Sequence, residues 1–154
     1  MKERHKALFR QMNIYREDLL AVVEDVTEEE ADIIPHGFNN NIRWNLGHTY
    51  LDLYLWIEDV TKEGGNYPKV FNDWFGFGTT PEDFTEDTPS FLELKELLKD
   101  QIKQIKDVYG HRLDEEFPPT SMENYTTIEQ VLVRTVFHEG MHLQAITDIK
   151  KLIK

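Results

Sequence analysis

Residues 126–154 read TTIEQVLVRTVFHEGMHLQAITDIKKLIK, and this closing stretch decides the fold. Indexed as heptads, one core position holds Ile128, Thr135, His142 and Ile149, and the other holds Val131, His138, Ala145 and Leu152. The pattern predicts one long amphipathic helix starting near Thr126, with Glu129 completing a capping box. His138 and His142 therefore lie on the seam that such a helix turns toward its neighbours. Four residues apart, they sit about 40° from each other around the axis, which lets two imidazoles bind one divalent metal. Burying two imidazoles is costly unless each finds a partner, and a shared metal would supply one. Thr135 and Ala145 are small and leave space beside them. Glu139 stands one step round, at the edge of the seam.

Three further segments have helical periodicity. The first runs from about residue 3 to 26, with Leu8, Met12, Tyr15, Leu19, Val22 and Val26 on one stripe. Thr27 with Glu30 makes a capping box for a short turn that stops near Pro35, and the asparagines of 39–41 offer a cap for the next helix. That second helix, about 41–62, carries one stripe of Trp44, His48, Leu51 and Leu55 and another of Leu46, Tyr50, Leu53, Ile57 and Val60. A helix apolar on two sides is buried on two sides, and Gly64-Gly65 ends it. The third helix starts at Ser90, with Glu93 as box partner, and ends at Gly110. Between the second and third helices lies a connection, residues 64–89, holding Tyr67, Phe71, Trp74, Phe75, Phe77 and Phe84. That many aromatics argues for packed structure rather than disorder.

These elements predict an all-α chain: one domain over residues 1–154, an up-down four-helix bundle with a long connection between its second and third helices. A chain of 154 residues can bury a real core without staples. Cysteine is absent, which excludes disulfides, thiolate ligands and cysteine nucleophiles. The formal net charge of −12, with 17 basic residues scattered among 29 acidic ones, argues against nucleic acid or anionic membrane as a partner. No apolar run is long enough to span a bilayer and no signal region follows the charged N-terminus, so a cytoplasmic location is expected.

The third ligand comes from the second helix. His48 shares its stripe with Trp44 and Leu51, so three core histidines on two helices make a three-ligand site with an open position, the usual form of a catalytic zinc site. Nickel or iron(II) would also accept three imidazoles. Asp52, one turn after His48, is placed to orient a ligand from behind, and Glu139 is a second candidate for that role. His5, His36 and His111 read as ordinary surface residues. Residues 138–142 also spell H-E-x-x-H, the zinc-protease pattern with glutamate as general base. A metzincin would continue with glycine where Ala145 stands. Alanine does not readily adopt the sharp turn that glycine allows there. The apolar seam runs on instead, and no edge strand is evident to hold a peptide.

Trp44-Asn45-Leu46-Gly47-His48, together with His138-x-x-x-His142, resembles the DinB-like family of four-helix-bundle proteins. The order and spacing of these motifs match over essentially the whole chain. The resemblance implies a divalent metal, often zinc or nickel, on His48, His138 and His142, and frequently a homodimer. Some members of the family are transferases or isomerases that use a low-molecular-weight thiol such as bacillithiol, mycothiol or glutathione. The leading functional reading is a metal-dependent enzyme, a thiol S-transferase or hydrolase, that activates a thiol or water for attack on a small molecule. Trp74, Phe75 and Phe77 are its candidate pocket-lining residues, and Arg43 or Arg134 its candidate anion contacts. A non-enzymatic metal-binding stress or dimerisation protein is the second reading, and a small metalloprotease the third.

Overall fold

The computed structural model describes residues 1–154 and is all-helical. Its elements are α1 (Glu3–Val22), α2 (Glu28–Ala31), α3 (Ile42–Thr61), α4 (Phe71–Phe75), a 3-10 turn (Pro81–Asp83), α5 (Phe91–Tyr109) and α6 (Ile128–Ile153). The four long helices close a ring: α1 packs on α5 and α6, and α3 packs on the same two. One continuous core of 33 buried apolar residues fills the space between them.

Local chemistry sets most helix starts. Thr27 and Glu30 form the expected reciprocal box on α2, and Ser90 and Glu93 form one on α5. The Asn41 side chain caps α3 by accepting from the Trp44 backbone N–H. The Glu28 carboxylate accepts from the N–H groups of Phe91 and Leu92, at 3.0 and 2.8 Å, and so ties α2 to the positive end of α5. The box that opens α6 lies one residue later than expected, with Thr127 as cap and Gln130 as partner. α3 ends at Lys62, which itself takes the left-handed conformation (φ 60°), ahead of the two glycines that the sequence suggested as the stop.

The buried faces also depart from a strict heptad. α6 buries Ile128, Val131, Leu132, Thr135, Ile146 and Ile149, while Leu152 is exposed. A straight helix drifts about 20° per heptad from a 3.5-residue repeat, and over 26 residues the buried stripe moves accordingly. On α1 the same effect exposes Tyr15 and buries Phe9 and Arg16.

The connection from α3 to α5 is a packed aromatic layer. Tyr67, Phe71, Trp74 and Phe75 are all buried, and α4 lies directly against α3. Phe75 reaches α3 at Gly47, where a Cβ would fall inside the Phe75 ring. Phe75 is fully buried and is boxed in by Phe71, Trp74 and Phe84. Gly47 is therefore required by close approach. Gly47→Ala should lose about 1–3 kcal/mol by overpacking, although alanine is the better helix former. Urea denaturation checks this: an unchanged or raised midpoint would show that the aromatic layer yields.

Candidate metal centre

α3 and α6 bring three imidazoles together. One ring nitrogen from each of His48, His138 and His142 lies within 4.8 Å of the others. The ring centroids are 4.4–5.1 Å apart. Each ring has an acceptor oxygen behind its Nδ1, in a hydrogen bond for His48 and His142 and in close contact for His138. His48 Nδ1–H donates to the Phe75 carbonyl at 2.7 Å. His142 Nδ1–H donates to Asn45 Oδ1 at 2.7 Å. The Asn45 orientation is forced, because its amide nitrogen donates to the Asn41 carbonyl at 2.7 Å and to Asn40 Oδ1 at 3.0 Å. His138 Nδ1 lies 2.9 Å from Asp52 Oδ2, a buried atom with no aligned hydrogen bond of its own. A carbonyl, an amide oxygen and a carboxylate can only accept, so the protons sit on Nδ1 and the Nε2 lone pairs converge.

That convergence tests the fit of a cation. His138 Nε2 and His142 Nε2 are 3.0 Å apart. With both protons on Nδ1, two lone pairs face each other at that distance, an arrangement that a shared cation relieves. Backbone carbonyl, amide and carboxylate are the acceptors that ordinarily orient metal-binding imidazoles. The donor set of three neutral nitrogens suits zinc, nickel or iron(II).

The rest of the Trp44–His48 segment serves the same end. The Trp44 ring stacks on His48 with centroids 4.8 Å apart and planes 8° from parallel. Trp44 is fixed in turn by its indole N–H, which donates to Thr79 Oγ1 at 2.9 Å. Asn45 holds His142, and Gly47 admits Phe75, whose carbonyl holds His48. Asn45 and the Phe75 carbonyl escaped the sequence reading. The first had a signal, being a fully buried amide on the same helix face as His48. The second had none, because a backbone carbonyl has no letter.

Asp52 thus stands behind His138. Glu139 does not stand behind any ligand: Arg16 donates to both its carboxylate oxygens, at 2.7 and 3.0 Å, and to the Leu98 carbonyl at 2.7 Å. A helix turns 100° per residue, so the residue after His138 faces α1 rather than α3. The H-E-x-x-H glutamate is a structural ion pair. Two of the three aromatic guesses are also corrected. Trp74 and Phe75 are core residues, because α4 turns them onto α3, and only Phe77, fully exposed, borders the pocket. Arg43 is consumed by the carbonyls of Pro89 and Thr88 and by Asp32. His5 is buried, 3.5 Å from Asp114 and 3.7 Å from Glu129, rather than on the surface.

A pocket of about 510 Å³ opens beside the histidines. His48, Asp52 and His138 line one part of it, and Leu55, Trp56 and Met122 contribute apolar wall.

This is a helical protein with a three-histidine centre set between two long helices. The chain belongs to the DinB superfamily, whose sequence model matches residues 11–146. A solved structure described as the conserved protein of a locus from Enterococcus faecalis is similar. It is 18% identical with a TM-score of 0.71, and the match covers 99% of this chain and 98% of that one. At that identity the likeness speaks for the fold alone. No curated protein matches the chain.

Electrostatics follow the packing. Burial, then the charges of His138 and His48, hold the His142 pKa down to about 3. Burial likewise lowers His48. Burial pushes Asp52 up, but the contact and charge of His138 outweigh it, and the carboxyl ends below its ordinary value. In the metal-free protein the unfolded chain takes up a proton at His142 near the ordinary value of 6.5, while the folded chain resists it until about 3. The stability from the neutral ring is complete above about pH 6.5 and is lost as pH falls toward 3, amounting to about 2 kcal/mol at pH 5. Chemical denaturation of chelator-treated protein at pH 7 and 5 should show this fall, and His142→Asn should reduce it. A pH-independent wild type would contradict the assignment.

Glu139→Gln should cost about 3 kcal/mol by leaving a buried guanidinium unpaired, with metal content unchanged. A protease base would behave oppositely: full stability and lost activity.

Proposed function

We propose that this protein is a metal-dependent enzyme of the DinB superfamily, in which His48, His138 and His142 hold a divalent cation, zinc or nickel, with iron(II) as a further candidate. The observation that carries this reading is the convergence of three imidazole nitrogens, each ring with an acceptor behind its Nδ1, beside an open pocket that His48 and His138 line. A cation bound there supplies Lewis acidity, lowering the pKa of a thiol or water for transfer to, or hydrolysis of, a small electrophile. The chain's own residues do the rest. Asp52 orients His138 and places a negative charge behind it. Leu55, Trp56 and Met122 exclude water from one wall, which strengthens every electrostatic contact inside.

The ring of four long helices is read as an up-down four-helix bundle with a long connection between α3 and α5. The same reading has the protein acting on a small molecule in the cytoplasm, with a low-molecular-weight thiol as co-substrate. No helix is long and apolar enough to cross a membrane, and the −12 charge disfavours nucleic acid. The working form is proposed to be a homodimer. Val133, Phe137 and Met141 form an exposed apolar stripe along α6 that suits such a contact. Phe137→Glu should then convert a dimer to a monomer in sedimentation; a monomeric wild type would remove the homodimer.

Metal analysis of the purified protein tests the centre. About one equivalent is expected in the wild type, with near-complete loss in His48→Ala and in His138→Ala. Asp52→Ala should weaken binding about 10–100-fold. Equal metal in wild type and both histidine variants would sink the proposal.

A further inference from the structure

The pocket is lined by one arginine that pairs with no carboxylate. Arg134 lies one turn before His138 on α6, and its guanidinium sits 4.7 Å over the Trp56 ring. Its Nη1 is buried and has no hydrogen-bond partner. Leaving a buried charged donor unpaired is costly, so Nη1 is a donor with a call on an acceptor. Neither carboxylate of the pocket pairs with it: Asp52 faces His138 at 2.9 Å, and Asp59 is paired with Lys62 at 2.9 Å. Arg43, the other arginine singled out in the sequence, is occupied by backbone carbonyls. Stacking on Trp56 fixes the guanidinium plane and leaves its edge for planar, charge-assisted bonds to an anion.

Geometry sets the size of the ligand. Residues four apart on a helix have Cβ atoms about 5–6 Å apart, so Arg134 and His138 address points about one turn from each other in the same pocket. The wall between and around them is apolar, from Leu55, Trp56 and Met122.

We propose that Arg134 is the anion anchor of this pocket, so that the ligand is a short amphipathic molecule with a carboxylate at one end and its metal-binding or reacting group a few atoms away. This rests on the three-histidine reading for the second end of the ligand, but not for the first.

The test uses cobalt(II)-loaded protein titrated with 3-mercaptopropionate and with 3-mercaptopropanol, read by the thiolate-to-cobalt absorption. The carboxylate should bind about tenfold more tightly, as one charge-assisted contact would give. Arg134→Gln should bring the two ligands within about twofold, and Arg134→Lys should keep part of the preference. Equal binding of the two by wild type, or an undiminished preference in Arg134→Gln, overturns the proposal. If the protein takes up no cobalt, the metal reading fails instead. Arg134 is then judged on the metal-free protein by tryptophan fluorescence, with 3-phenylpropionate against 3-phenylpropanol. A preference for the carboxylate that Arg134→Gln abolishes supports the anchor, and no preference overturns it.

Discussion

Three inward-facing imidazoles need three acceptors for their Nδ1 protons, and most of the architecture around the centre meets that need. The acceptors come from three kinds of group: a backbone carbonyl at the end of α4, an amide on α3 and a carboxylate on α3. None is on α6, although α6 supplies two of the histidines. α3 must therefore lie against α6 in one register, and the α3–α5 connection must fold back to deliver Phe75. A glycine at position 47 is what allows that return, since any side chain there would meet the Phe75 ring. The aromatic connection is thus a positioning device for His48, and its buried rings secure the place of one carbonyl oxygen.

α6 serves two interfaces at once. His138 and His142 face α3, while Glu139, 100° further round, faces α1 and closes the pair with Arg16. Breaking that pair would leave a charge in a region where Arg16 is 3% exposed. The five letters that suggest a protease are divided between the three-histidine cluster and an interhelical ion pair. The division follows from the helical repeat alone, because a residue flanked by two inward-facing histidines cannot also face inward unless the helix breaks. α6 runs unbroken to Ile153.

Much of this was legible in the sequence because it is local or periodic. Capping boxes at Thr27 and Ser90 depend on residues three apart, and the long helices announce themselves by apolar spacing. The histidines were found by phase, since a polar group in an apolar stripe needs a reason. What escaped was non-local or had no side-chain signature. His5 looked exposed because it is near the terminus, yet Asp114 and Glu129, over a hundred residues away, close over it. Phe75 was expected to contribute its ring to a pocket and contributes its carbonyl to a histidine. The heptad indexing of α6 failed at Leu152 because a straight helix does not keep a 3.5-residue repeat.

The division of labour between the two sides of the centre has a consequence for how such a site can change. The side behind the histidines is close-packed and over-determined: each ring is held by an acceptor that is itself buried or hydrogen-bonded, and an altered residue there disturbs neighbours on two helices. The pocket side is built from few contacts. Phe77 is fully exposed, Met122 sits in the loop before α6, and Leu55 and Trp56 offer an apolar face without polar commitments. Arg134 is the exception there, a half-buried side chain with one buried, unused donor. Substitutions at the loop positions would alter the pocket's shape with little effect on the imidazoles, whereas a change at Arg134 would remove its one positive charge. The histidine cluster and the pocket lining are therefore separable in this fold, because the first depends on the interior of the helix ring and the second on its rim.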